Sequence, residues 1–279
     1  LFHWISSGVS YFTGALDGLE VRAPSVISVA SAGIAISLLS FIFFGTESGF
    51  ISLIVFFFSL ESLRHGGNAR VDMLFTACLT LVFAGSSLLI SGRGDRLARI
   101  LFILGITFSI LAKGPAGAAL PVGTLVLWFL NEYRLTRYID WALVKRVILY
   151  CAIGTFLASI WYVLAYREQG VDFLYVQLFR ENFGRAFGDI KEEIGHVKPW
   201  YVGLLYFFPA LLPWSLTAVD LRTEFSDLLV GTGKYAKLRR YFVAWLLCLA
   251  ILMCLTQSKR TVYWLPGIPA LALLIGSLF

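Results

Sequence analysis

The sequence predicts an all-α fold, a polytopic bundle of transmembrane helices with juxtamembrane helices on its outer side. Three observations carry that prediction. Of the 279 residues, 58% are hydrophobic and only 14% charged, whereas soluble domains run about 25% charged. The apolar residues come in runs, near 24–44, 48–62, 71–91, 97–112, 116–130, 146–166, 201–219, 241–256 and 264–279, and a bilayer span needs roughly 20 residues. The charged residues gather in the short segments between those runs. A water-soluble fold could not hide this much apolar surface, so lipid is the fitting solvent.

Residues 1–279 read as a single transmembrane domain. The segment Leu1 to Gly14 is amphiphilic and a candidate tail of a further span, and Trp264 to Phe279 is apolar to its last residue. Both ends therefore read as cut, and the chain as a fragment. Several runs are nearer 15 residues than 20, which suits spans that are short, tilted or shielded by neighbours. The stretch 100–130 would be one helix of about 47 Å at 1.5 Å per residue, against a hydrocarbon core of roughly 30 Å. Lys113 at its centre would cost about 3 kcal/mol. Gly114-Pro115 is a natural break, so the stretch reads as a hairpin with Lys113 at its tip. The alternative is one kinked helix with the lysine inside.

With that hairpin the connecting segments fall on two sides. Segments 15–23, 63–70, 113–115, 167–200 and 257–263 share one; 45–47, 92–99, 131–146 and 220–240 share the other. Leaving out the long 167–200 loop, the first side carries six lysines and arginines and the second twelve. Basic excess close to span ends marks the cytoplasmic side, so the first side is the outer one. Segment 220–240 places Leu221, Phe225, Leu228 and Leu229 on one face and then turns basic at Lys234, Lys237, Arg239 and Arg240. That pattern predicts an interfacial helix with headgroup anchors. Loop 167–200 carries Phe173, Val176, Phe179, Phe183 and Phe187 at three- and four-residue steps, a second interfacial stripe.

The net charge of +6 suits cytoplasmic loops and anionic headgroups better than nucleic acid. Cys78, Cys151, Cys248 and Cys254 all fall in predicted spans and read as packing residues. His3, His65 and His196 are scattered without metal-ligand spacing, and no nucleotide-binding loop is present.

The denser polar groups sit on the outer side. Asp72, in Arg70-Val71-Asp72, stands at a span entrance, where helix capping suffices to explain it. Lys113 suits either an anion contact or a snorkelling anchor. Arg180, Glu181 and Arg185, followed by His196 and Lys198, place several cations in one loop before a span. Arginine matches phosphate oxygens in a two-point fork, although generic headgroup contact also accounts for them. Lys259, Arg260 and Tyr263 share a tight turn between two apolar runs and could together hold a phosphate. The residues alone therefore describe an outward polar cavity suited to an anionic substrate, foremost a lipid phosphate.

The order of these motifs resembles the C-type glycosyltransferase superfamily, close to the aminoarabinose (lipid A) transferase and protein mannosyltransferase group. The resemblance rests on Leu1-Phe2-His3-Trp4 with Tyr11-Phe12-Thr13-Gly14 and Val21-Arg22-Ala23-Pro24-Ser25, on Arg70-Val71-Asp72-Met73, and on Ala112-Lys113-Gly114-Pro115. It continues through Glu181-Asn182-Phe183-Gly184-Arg185, His196-Val197-Lys198-Pro199-Trp200-Tyr201, and Ser258-Lys259 to Tyr263-Trp264-Leu265-Pro266. Each motif is short; their order and shared side make the case. The family's last turn often carries proline before the tyrosine, where this chain has Val262.

The resemblance implies transfer of a glycosyl group from a polyprenyl-phosphate-linked sugar to a lipid or protein acceptor at the outer face of a bacterial inner membrane. The catalytic aspartate is expected upstream of residue 1, so the stretch alone is expected to be inactive. Lys259 and Tyr263 would contact the carrier phosphate, joined by Arg185 or Arg180 and by Lys198. Arg260, His196 and Lys113 complete the candidate substrate-binding set, and Arg70, Asp72 and Glu181 are supporting or structural. No cofactor is required with certainty, and a divalent metal is left open. The alternative is a transporter or flippase of lipid-linked sugars, which often has broken spans in two matching halves; the sequence shows one break, at 113–115.

Overall fold

The computed structural model describes residues 1–15, 17–177, 198–216 and 230–279. It is helical throughout the described residues, with no β-strand among them. Helix α1 (Phe2–Thr13) ends at Gly14 in the left-handed conformation. Helix α2 (Gly18–Phe44) opens on a reciprocal cap, in which Asp17 accepts from the Leu19 amide and Glu20 from the Asp17 amide. Next come α3 (Thr46–Phe57) and α4 (Leu60–Gly66), bent 65° from each other. The bundle continues with α5 (Val71–Ser91), α6 (Asp95–Lys113), α7 (Ala116–Thr136) and α8 (Trp141–Gln169).

Short helices α9 (Val171–Leu174), α10 (Trp200–Leu205) and α11 (Phe207–Ala210) follow, then the long α12 (Ala236–Leu255). The chain closes with a 3₁₀ helix (Thr261–Gly267) running into α13 (Ile268–Gly276). Helices α2, α5, α8 and α12 are long and apolar enough to cross a membrane, and the bent α3–α4 pair makes a fifth candidate. The chain is that of an integral membrane protein. The apolar runs at 201–219 and 264–279 are not single long helices: α10 and α11 divide the first, and the 3₁₀ helix takes the start of the second.

Helix α5 is the axis of the bundle and is buried along most of its length. It packs closest on α6, because two glycines let the backbones touch. A Cβ on Gly85 would lie 2.7 Å from the Phe102 amide nitrogen, and one on Gly105 would lie 2.6 Å from that of Val82. On its other flank, Phe83 meets Tyr241, Phe242 and Trp245 of α12 at ring separations of 5.0–5.3 Å. Helix α8, by contrast, leaves Ile148, Phe156 and Leu164 outward-facing. Helices α2, α3 and α13 meet through small residues. The Ser52 hydroxyl lies 2.9 Å from the Ser40 hydroxyl and 3.0 Å from the Ala272 carbonyl, and Gly276 abuts Ser52 with no room for a Cβ.

Segments assigned to a common side by the charge count meet one another. In the more basic group, Arg93 donates to the Ile42 carbonyl at 2.7 Å and Arg146 pairs with Asp95 at 3.2 Å. Two of the predicted headgroup anchors there are internal instead. Arg240 is buried and forks onto Glu132 of α7, while Arg239 donates to Ser277 at the end of α13. The reason is that α12 begins at Ala236, so both arginines lie in its first turns against neighbouring helices. Residues 217–229, with the rest of the predicted interfacial face, lie outside the described residues.

Candidate functional site

Three chain segments far apart in sequence converge at one end of the bundle. Lys113 is the last residue of α6; Gly114 turns with φ 61 and Pro115 starts α7, so the lysine stands at a hairpin tip. Ser109 donates across the hairpin to the Gly117 carbonyl at 3.0 Å. Asp72 lies in the first turn of α5 but does not cap it, since its carboxylate instead accepts from the Lys113 ammonium. The same ammonium sits 4.9 Å from the Phe75 ring centre and 5.7 Å from that of Tyr263. The Lys113 and Asp72 side chains keep 28% and 19% exposure, so the pair is open on one side.

The turn after α12 is anchored from within. Lys259 is 2% exposed, and its ammonium donates to the Met253 carbonyl at 2.7 Å and also to that of Thr256, with the Cys254 carbonyl at 3.5 Å. These carbonyls end α12 and have no partner within the helix. A cation suits that end of the dipole, while burial pushes the ammonium's pKa below its usual range. The structure thus places Lys259 under the turn, not on its open face. Arg260 is exposed and Tyr263 half-buried. The Lys198 amide donates to the Gln257 carbonyl at 3.3 Å, and the Trp264 indole donates to the Gly203 carbonyl at 2.8 Å. The Lys198 ammonium turns onto Tyr206, bonding its hydroxyl.

Among the sequence candidates, Asp72, Lys113 and Tyr263 are therefore brought together, with Lys259 and Arg260 on the same turn and Lys198 tied to its start. Arg70 is exposed beside Asp72, and its carbonyl accepts from Ser25 at 3.2 Å. Arg180, Glu181, Arg185 and His196 lie outside the described residues. No cluster of three His, Cys, Asp or Glu side chains occurs among the described residues, and the four cysteines are free. Two buried groups lie beside the site on α4: Glu61, which the sequence reading passed over, and His65, which it read only as a scattered histidine. Their four-residue spacing on one short helix was the available signal.

This arrangement has the fold of ArnT. The structure superposes on the crystal structure of ArnT from Cupriavidus metallidurans bound to undecaprenyl phosphate with a TM-score of 0.83 at 19% identity, covering 99% of this chain and 48% of that one. The apo form of the same protein gives 0.79, also at 19% identity and the same coverage. In sequence, the chain is 27% identical over 217 residues to undecaprenyl phosphate-alpha-4-amino-4-deoxy-L-arabinose arabinosyl transferase 1 of Pseudomonas fluorescens (strain Pf0-1), covering 76% of this chain and 36% of that protein. It is 28% identical over 178 residues to an uncharacterized protein of Aquifex aeolicus (strain VF5), covering 63% of this chain and 37% of that one. No family model matches the chain. The chain spans about a third to a half of the length of these relatives, and the Pseudomonas relative bears the name of the aminoarabinose transferase group that the motifs resemble.

Proposed function

We propose that this chain forms the donor side of a glycosyltransferase that moves a sugar from a polyprenyl-phosphate carrier to a lipid or protein acceptor at the outer face of a bacterial inner membrane. The observation that carries this reading is the convergence of Asp72, Lys113 and Tyr263 from three separate segments around one partly exposed cation. In transfer, an acceptor oxygen attacks the anomeric carbon while the bond from that carbon to the phosphate oxygen breaks. Negative charge then grows on the departing polyprenyl phosphate. Cations held in place before the reaction stabilise that charge without reorganising. Lys113 and Arg260 serve as those cations, and the Tyr263 hydroxyl as a neutral donor. Asp72 fixes Lys113, and Lys259 fixes the turn that carries Arg260 and Tyr263. Acceptor activation requires a general base, which this reading assigns to another part of the full-length protein.

The test is transfer by the reconstituted full-length protein from an undecaprenyl phosphate-linked sugar. Tyr263→Phe and Lys113→Met should each lower turnover on the order of a hundredfold while the protein still inserts. Normal transfer in both variants would remove the site assignment. Movement of the lipid-linked sugar across vesicles without any transfer would replace the reading with a transporter.

A further inference from the structure

The 3₁₀ helix that carries Tyr263 is held by two buried indoles, each donating to a backbone carbonyl. In a 3₁₀ helix the Pro266 carbonyl would accept from the residue three places on, but that residue is Pro269, which has no N–H. Trp245 of α12 supplies the donor instead, its Nε1 lying 2.8 Å from the Pro266 oxygen. The other indole belongs to the 3₁₀ helix itself and leaves it. Trp264, 2% exposed, donates from Nε1 to the Gly203 carbonyl at 2.8 Å. Gly203 lies in the last turn of α10, where carbonyls run out of amides further along the helix. The Phe207 ring of α11 meets the same indole edge-on, at 5.2 Å between ring centres. Gly203 is also where α10 rests on α12, since a Cβ there would lie 2.6 Å from the Met253 carbonyl oxygen.

The Trp264–Gly203 bond joins positions 61 residues apart, and each side of it carries candidate phosphate contacts. Lys198 stands one residue before Pro199, the cap of α10. Its ammonium bonds the Tyr206 hydroxyl, and an ammonium with three donors keeps others to offer. Arg260 and Tyr263 stand on the turn, with the Tyr263 ring centre 5.7 Å from the Lys113 ammonium. At three residues per turn, neighbours in a 3₁₀ helix point about 120° apart. The buried Trp264 therefore fixes the rotation at which the half-buried Tyr263 is presented. The Lys198 amide adds a longer tie, to the Gln257 carbonyl at 3.3 Å. We infer that Trp264 is a positioning residue: through Gly203 it locks α10 to the turn, so that Lys198 from one and Arg260 and Tyr263 from the other face a single carrier phosphate together. The inference rests on the donor-side reading above and adds Lys198 to it.

The test is undecaprenyl phosphate binding by full-length protein in detergent, read together with hydrogen–deuterium exchange over α10. Trp264→Phe keeps a ring against Phe207 and removes the donor. It should speed exchange at 200–206, leave α5 protected, and weaken undecaprenyl phosphate binding on the order of tenfold, the loss expected when a buried carbonyl is stripped of its donor. Gly203→Ala acts from the other side, pushing α10 off the Met253 carbonyl with Trp264 intact. It should reproduce both effects, and it carries the test if Trp264→Phe does not fold. Lys198→Met separates positioning from plain stability. In the unaltered protein it should weaken binding about fivefold, as for an exposed charge pair. In either altered background it should cost almost nothing further, because the ammonium is already out of place. Equal losses from Lys198→Met in all backgrounds overturn the inference, and so does wild-type affinity in Trp264→Phe and Gly203→Ala. If the unaltered protein does not bind undecaprenyl phosphate, the donor-side reading falls and the inference with it; if it binds and neither variant weakens binding, the inference alone falls.

Discussion

Arg240→Met is the sharpest test of the packing between α7 and α12. The Arg240 and Glu132 side chains are 7% and 9% exposed. Arg240 gives Nε to Glu132 Oε1 and Nη2 to Oε2, the latter at 3.2 Å, and Nη1 to the Gly231 carbonyl at 2.6 Å. Removing the guanidinium strands a carboxylate among apolar neighbours, a loss of about 3–5 kcal/mol. At roughly 2–4 °C per kcal/mol for a chain of this order of size, the melting temperature should fall by roughly 10 °C. The double change Arg240→Met with Glu132→Leu removes both charges and leaves only the Gly231 carbonyl short of a partner, about 1 kcal/mol. It should therefore recover most of the loss. Cys78 and Cys248 are free and buried, so a thiol-reactive fluorophore reports unfolding directly in detergent. A fall of less than about 2 °C for Arg240→Met, or a double variant that loses the sum of both single losses, would refute the reasoning.

Two further outcomes follow from the geometry. Lys259→Met should destabilise the protein by about 2 kcal/mol, because it deprives the last carbonyls of α12 of their donor, and exchange protection at 254–257 should drop with it. Full protection in that variant would count against the anchoring role. Gly105→Val should cost at least about 2 kcal/mol through overpacking, since its side chain would meet the α5 backbone; Gly8→Ala, where a Cβ has open space, is the matched control, and equal melting temperatures for the two would contradict the close approach of α5 and α6.

The fold class was legible because lipid imposes a blunt rule: long apolar runs separated by clustered charge. The hairpin at Lys113 was legible because a cation and a Gly-Pro pair punctuate one overlong run. The α3–α4 bend was not, because Ser59 breaks the helix without proline or glycine and lies inside an apolar stretch. Glu61 was passed over for the same reason. Arg240 looked like one more surface cation in a basic cluster, since its partner Glu132 is 108 residues away in the chain. The candidate site was half legible. Sequence shows that Lys113, Lys259 and Tyr263 belong to turns between apolar runs. It does not show that Lys259 lies over the end of α12, and direction of a side chain is what separates an anchor from a ligand.

The seat of Gly276 against Ser52 has a mechanical consequence. From Tyr263 to Gly276 the 3₁₀ helix and α13 run on without a loop, a stiff strut of roughly 20 Å. Its foot is wedged between α2 and α3, and its head bears Tyr263. A strut transmits displacement rather than absorbing it. A single methyl group added at the foot would bear on the head, so the position of Tyr263 depends on packing at the opposite end of the strut.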